Sequence, residues 1–92
     1  MTFDFTLSDE LKEKIGKLLV RDRKRAEILG KKIREIVSSD EETIERYKNL
    51  RHDMKGHKRV HLDAHFVLVF RVFKKERFIL FEDFDHHDNI YG

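Results

Sequence analysis

Cysteine is absent from this chain, which excludes disulfides and thiolate metal sites and is compatible with a reducing compartment. No apolar run approaches the ~20 residues of a membrane-spanning helix, so no membrane partner is expected. The first ten residues, MTFDFTLSDE, lack a basic stretch followed by an apolar block, and no secretion signal is expected there. No Pro-rich or Gly/Ser-rich linker divides the sequence, and no internal repeat is visible. The expectation is therefore one soluble, cytoplasmic domain over residues 1–92. A chain of this length buries roughly 60–65% of its unfolded surface, enough for one modest core. The charged fraction is 41%, but 39% hydrophobic residues with eight Phe argue against disorder.

The net charge of +2 is unevenly spread. From Arg46 to His65 there are six Lys and Arg against two Asp, together with four of the six histidines, His52, His57, His61 and His65. From Glu76 onward there are five acids against Arg77 alone. A basic middle suits a polyanion, although an ordinary solvated surface has the same composition.

Phe3, Phe5 and Leu7 alternate with polar residues, which predicts a short strand. Ser8 can cap a helix that opens with Asp9 and Glu10. Leu11, Ile15, Leu18 and Leu19 form one helical stripe, and Ile28, Leu29, Ile33, Ile36 and Val37 a second. RDRKR (21–25) reads as the bend, so residues 8–38 are expected to form a helical hairpin. Gly16 inside the first stripe costs about 1 kcal/mol against Ala, and a close helix crossing is one reason to tolerate it. Ser39 and Glu42 have the spacing of a capping box for a short third helix through about Tyr47. Beyond it, residues 58–62, 65–73 and 77–84 are rich in β-branched and aromatic residues. The expected class is α+β, in the order β-α-α-β-β-β: a helical hairpin on a largely antiparallel four-stranded sheet.

Strand parity then sorts side chains into faces. Phe66, Leu68, Phe70 and Val72 form the core face of one strand, and Val60 and Leu62 that of its neighbour. For both apolar sets to reach one core, like parities must pair, for instance His61 opposite His65. That register gathers Arg59, His61, His65 and Arg71 on the face away from the helices. Such a face binds anions and can move protons, or is simply the wet side of a half-exposed sheet.

The C-terminal DFDHHDNIYG adds His86, His87 and three Asp. One reading is a divalent metal site of imidazole and carboxylate ligands, although adjacent rings point apart on an extended chain and neither HExxH nor H-x3-H is present. A second is metal-free RNA cleavage, in which a ribose 2′-OH attacks its own phosphate. That step needs a proton acceptor, a proton donor for the leaving 5′-oxygen and cations for the charge on phosphorus. Histidine suits the first two tasks and arginine the third. A third is a binding module for RNA or protein, with Tyr91 stacking on a base.

YKNLRHDMKG, KRVHLDAHFVLVFRV and DHHDNIYG, in that order, resemble the RelE/ParE toxin superfamily, especially its YafQ-like branch of ribosome-dependent mRNA interferases. The matching points are His52 four residues before Gly56, His61 in the two-strand core, and His87 four residues before the terminal aromatic Tyr91. The chain departs from that branch in having His65 where the branch has aspartate, and Tyr91 where it has phenylalanine. The resemblance implies the toxin of a type II toxin–antitoxin pair, an endoribonuclease that enters the ribosomal A site, cuts the mRNA there and is silenced by a cognate antitoxin protein. It implies no metal and no organic cofactor. On this reading His65 is the base, alone or with His61, and His87 the acid, tuned upward by Asp85 and Asp88. Arg59 and Arg71 stabilise the charge on phosphorus, His52 and Lys55 position the backbone, and Tyr91 stacks on the substrate base. Helical Lys and Arg become candidate ribosomal RNA contacts. The alternatives are a ParE-like toxin acting on DNA gyrase and a non-catalytic RNA- or antitoxin-binding module.

Overall fold

Capping side chains lay out the N-terminal half. The computed structural model describes residues 3–50 and 56–91, so His52 and Lys55 lie outside the described residues. Strand β1 (Asp4–Leu7) leads directly into helix α1 (Asp9–Arg21). The Ser8 hydroxyl accepts the Leu11 N–H at 3.0 Å and donates to the Glu82 carbonyl at 2.6 Å, so one side chain starts the helix and fixes it to the sheet. Asp22 ends α1 and caps α2 (Arg23–Val37), accepting the Arg25 N–H at 3.1 Å. The hairpin expected over 8–38 therefore turns on one residue inside RDRKR.

The third cap differs from expectation. Helix α3 (Glu41–Arg46) starts on Asp40, which accepts the Thr43 N–H at 2.8 Å. Ser39 instead donates to the Glu35 carbonyl at 3.0 Å, and Glu42 pairs with Arg46 at 3.2 Å. An ionised carboxylate is the stronger acceptor for a helix N-terminus, and the Thr43 bonds hold Asp40 below the ordinary carboxylate range.

The sheet consists of β1, β2 (Lys48–Asn49), β3 (His57–His61), β4 (Phe66–Phe73) and β5 (Phe78–His86) in the order β1-β5-β4-β3-β2. Strand β1 runs parallel to β5, and the other pairs are antiparallel. The two-residue β2 makes five strands where four are expected. Like parities do pair across β3 and β4, with Val60 opposite Leu68. His61, however, faces Val67 rather than His65. Residues 62–65 form the connecting turn, in which the Asp63 carboxylate accepts the His65 and Phe66 N–H groups at 2.8 and 3.2 Å. Strand alternation therefore stops short of His65.

Leu68 and Phe70 lie fully buried under Leu11, Leu29, Ile33, Ile36 and Ile44. Burial of each such side chain contributes about 1.5–3 kcal/mol. Strand β5 adds Ile79, Phe81 and Phe84. Phe81 and Phe84 share a face despite an odd spacing because β5 bulges between them: Phe70 faces Phe81 while Val69 faces Asp83, leaving Glu82 as the extra residue.

Three local expectations change. Leu19 and Ile28 are exposed, so each helical stripe is narrower than the hydrophobic pattern suggests. A methyl group on Gly16 would meet nothing within 4 Å, which removes the helix-crossing explanation. The second sheet face is not wholly wet either: Val67 and Val69 are buried, and a short C-terminal helix, α4 (His87–Tyr91), packs back on β4 and β5.

Candidate functional site

Alternation along β3 directs His57, Arg59 and His61 to the face away from α1 and α2. Helix α4 comes to that face from the other side. Its one turn carries His87 and Tyr91 four residues apart, so both rings lie on one side of it, 4.6 Å apart between centroids. The His87 ring stacks on His61 at 5.6 Å with planes 28° apart. The Arg59 guanidinium carbon stands 5.6 Å from the centre of the Tyr91 ring. Four side chains from two distant stretches thus meet: His61, His87, Arg59 and Tyr91. The Arg59 Nε and the Tyr91 hydroxyl are buried there without a hydrogen-bond partner among the described residues, an expensive state unless water or a ligand completes them.

The cluster opens onto a basic cleft of about 330 Å³ lined by Arg46, Tyr47, Lys48, Arg59, Val60 and His61. Arg46 and Lys48, part of the basic middle of the sequence, line this cleft. The cross-strand pairing of Lys48 with Arg59 puts them beside the histidines.

Two other expected members stand elsewhere. His65 stacks on His86, with centroids 5.7 Å apart and planes 5° apart, and His86 in turn meets the edge of Phe66 at 5.6 Å. Its link to the cluster is through the backbone, the His87 N–H donating to the His65 carbonyl at 2.6 Å. The shared face drawn from strand parity thus lacks the His65 ring, because that residue belongs to the turn. Arg71 faces His57 across β3 and β4 and lies over the Phe73 ring at 4.8 Å. Four residues of strand separate it from Val67, opposite His61, which is roughly 13 Å.

The carboxylates divide their work. Burial would raise the Asp85 carboxyl, but hydrogen bonds from Lys14 at 2.8 Å, Asn89 at 3.0 Å and the His86 N–H at 2.7 Å outweigh it and hold it at about 2. Asp85 thereby anchors α4 to α1. Asp88 approaches both the His86 and His87 Nδ1 atoms at 3.7 Å. Its own N–H also donates to His86 Nδ1 at 3.3 Å. Among the described residues, no group of three or more His, Asp or Glu side chains is arranged to hold a metal ion. No helix among them is long and apolar enough to cross a membrane.

No protein-family model matches the chain. A relative from Methanocaldococcus jannaschii named "Putative toxin RelE4" is 42% identical over 89 residues, covering 97% of this chain and 90% of its own length. The chain belongs to the RelE-like toxin family. An uncharacterised protein of Methanosarcina mazei is 45% identical over 85 residues, covering 92% of this chain and 94% of its own. YafQ in the E. coli DinJ–YafQ toxin–antitoxin complex superposes with a TM-score of 0.74 at 17% identity, with full coverage of both chains, a likeness of fold. This RelE-like toxin shares the α+β fold of that structure, and its five-stranded mixed sheet carries α1, α2 and α3 on one face and the short α4 on the other.

Proposed function

We propose that this RelE-like toxin is a ribosome-dependent endoribonuclease of a toxin–antitoxin pair, cutting mRNA in the A site without a metal. The observation that carries the reading is the meeting of His61, His87, Arg59 and Tyr91 on the mouth of a basic cleft. In the reaction the 2′-OH of one ribose attacks the adjacent phosphorus. His61 takes the hydroxyl proton, and His87 gives a proton to the departing 5′-oxygen. The P–O5′ bond breaks as the new P–O2′ bond forms, leaving a 2′,3′-cyclic phosphate and a 5′-hydroxyl. Arg59 stabilises the charge that gathers on the phosphoryl oxygens. Tyr91 holds the neighbouring base, and Arg46 and Lys48 steer the backbone into the cleft. His61 suits the base better than His65 does, because its ring already stands on His87. Arg71 suits a flanking phosphate rather than the scissile one. The partner that restrains the enzyme is a cognate antitoxin protein, as YafQ has DinJ.

Purified protein mixed with programmed ribosomes in the presence of a chelator is expected to cut the message at one codon. His87→Ala is expected to lower the cleavage rate about 10²–10⁴-fold with the fold intact. A message left whole by the wild-type protein would sink the nuclease reading. Toxicity that survives in His87→Ala with DNA damage would indicate gyrase as the target instead.

A further inference from the structure

We propose that the sheet corner beside this cluster is a pocket for a nucleobase flanking the cleaved linkage, with Glu82 as its specificity-determining residue and guanine its preferred occupant. The inference rests on the nuclease reading above.

Glu82 is the extra residue of the β5 bulge, and the bulge brings its carboxylate to the face away from the helices. There Oε1 stands 3.4 Å from His57 Nε2. Among the described residues neither Glu82 Oε1 nor His57 Nδ1 has a hydrogen-bond partner, though both atoms are buried. With Arg59 Nε and Tyr91 OH they make four unfinished polar atoms on one sheet face. Natural structures complete such atoms with water or ligand. Glu82 also borders a cavity of about 380 Å³ whose apolar walls are Leu50, Val69, Leu80 and Ile90. Ile90 and Asn89 of that lining come from the same turn of helix as His87 and Tyr91. A flat, apolar-faced ring with a polar edge fits this combination.

An ionised carboxylate only accepts hydrogen bonds. Guanine offers N1–H and N2–H₂ side by side, two donors for the exposed side of a carboxylate whose Oε1 is turned inward to His57. Uracil sets its one N–H between two carbonyl oxygens, which the carboxylate repels. Asp83, at the rim, is paired with Lys14 at 2.6 Å. His57 and Arg71 face one another across the strands and leave a cation for the phosphate of the same nucleotide. Four residues of strand put His57 roughly 13 Å from His61, a separation that suits a neighbouring nucleotide and not the cleaved one.

The test uses programmed ribosomes whose messages carry guanine, inosine, adenine or uracil at each position around the cut. Wild-type protein is expected to cut faster with guanine than with inosine, which lacks the 2-amino group, or uracil at one flanking position, by about tenfold or more. Glu82→Gln is expected to level the guanine–inosine difference while cleavage persists. Leu50→Trp fills the cavity without touching the carboxylate and is expected to erase the same preference, which keeps the test open should Glu82→Gln unfold. A preference unchanged in both variants, or absent from an active wild-type protein, overturns the pocket and leaves the nuclease standing. No cleavage by wild type overturns both.

Discussion

Lys14→Met should destabilise the protein by an amount that depends on pH. The Lys14 ammonium lies 2.6 Å from Asp83 and 2.8 Å from Asp85, tying the middle of α1 to the unpaired edge of β5 just before the helix that carries His87. Methionine keeps most of the apolar stem and deletes the charge, so packing is largely preserved. The Asp85 carboxyl drops from 3.8 to about 2 in the fold. At 1.36 kcal/mol per pKa unit this is about 2.4 kcal/mol if all of it were stability. Lys14 supplies only part of that shift, the Asn89 amide and the His86 N–H supplying the rest. The side chains of Lys14 and Asp85 are 34% and 31% exposed, so the share lost with Lys14 is about 1 kcal/mol after solvent screening. Because folding lowers the Asp85 pKa, this contribution is complete above the unfolded value of 3.8 and disappears as pH falls through 2. For Lys14, burial lowers the pKa but the two carboxylates outweigh it, and the net shift is upward from 10.5. Its contribution is complete below 10.5 and is lost as pH rises through the folded value. Urea unfolding of wild type and Lys14→Met should therefore differ by about 1 kcal/mol at pH 7 and converge near pH 2, with equal m-values. A gap of the same size at both pH values would mean that Lys14 acts through its stem, and the electrostatic account would be wrong.

Other outcomes follow from local geometry. Gly16→Ala should raise stability by up to about 1 kcal/mol in urea unfolding, since the site is helical, exposed and clear of neighbours; a loss would mean that something packs there. Asp40→Ala should lower the melting temperature and Ser39→Ala should lower it less, because Asp40 is the cap of α3; the reverse order would restore Ser39 as the cap.

Much of this fold was legible because its signals are local and repeated. The two helices announce themselves by apolar spacing and by Ser8 and Asp22 at their starts. The core face of β4 is a run of four apolar even positions. What escaped depends on single residues or on pairing. Phe81 and Phe84 are three apart and both apolar, a break in period two that signals a bulge between them, and with it the placing of Glu82. His57 shares the parity of Arg59 and His61, and setting the strand's start one residue late hid it. His65 looks like a strand residue by period two, but the strand ends before it in the turn that Asp63 closes. Helix α4 is one turn long, too short for hydrophobic periodicity to show, yet it buries Val67 and Val69 and supplies two members of the cluster.

The adjacent histidines resolve on the same point. Along a continued strand, His86 and His87 would face opposite sides of the sheet, and nothing in the residues alone would choose the useful one. The chain instead changes from strand to helix between them. His86, the last residue of β5, is paired with Phe66 and keeps to the side of its ring, where His65 covers it. His87, the first residue of α4, follows the helix to the other side, and the turn that redirects it also delivers Tyr91 one turn later. The transition is held by Asp85, which accepts the His86 N–H and the Asn89 amide while bound to Lys14. Asp85, which reads in the sequence as a metal ligand or a neighbour tuning His87, thus acts as the fixture that aims one imidazole at His61.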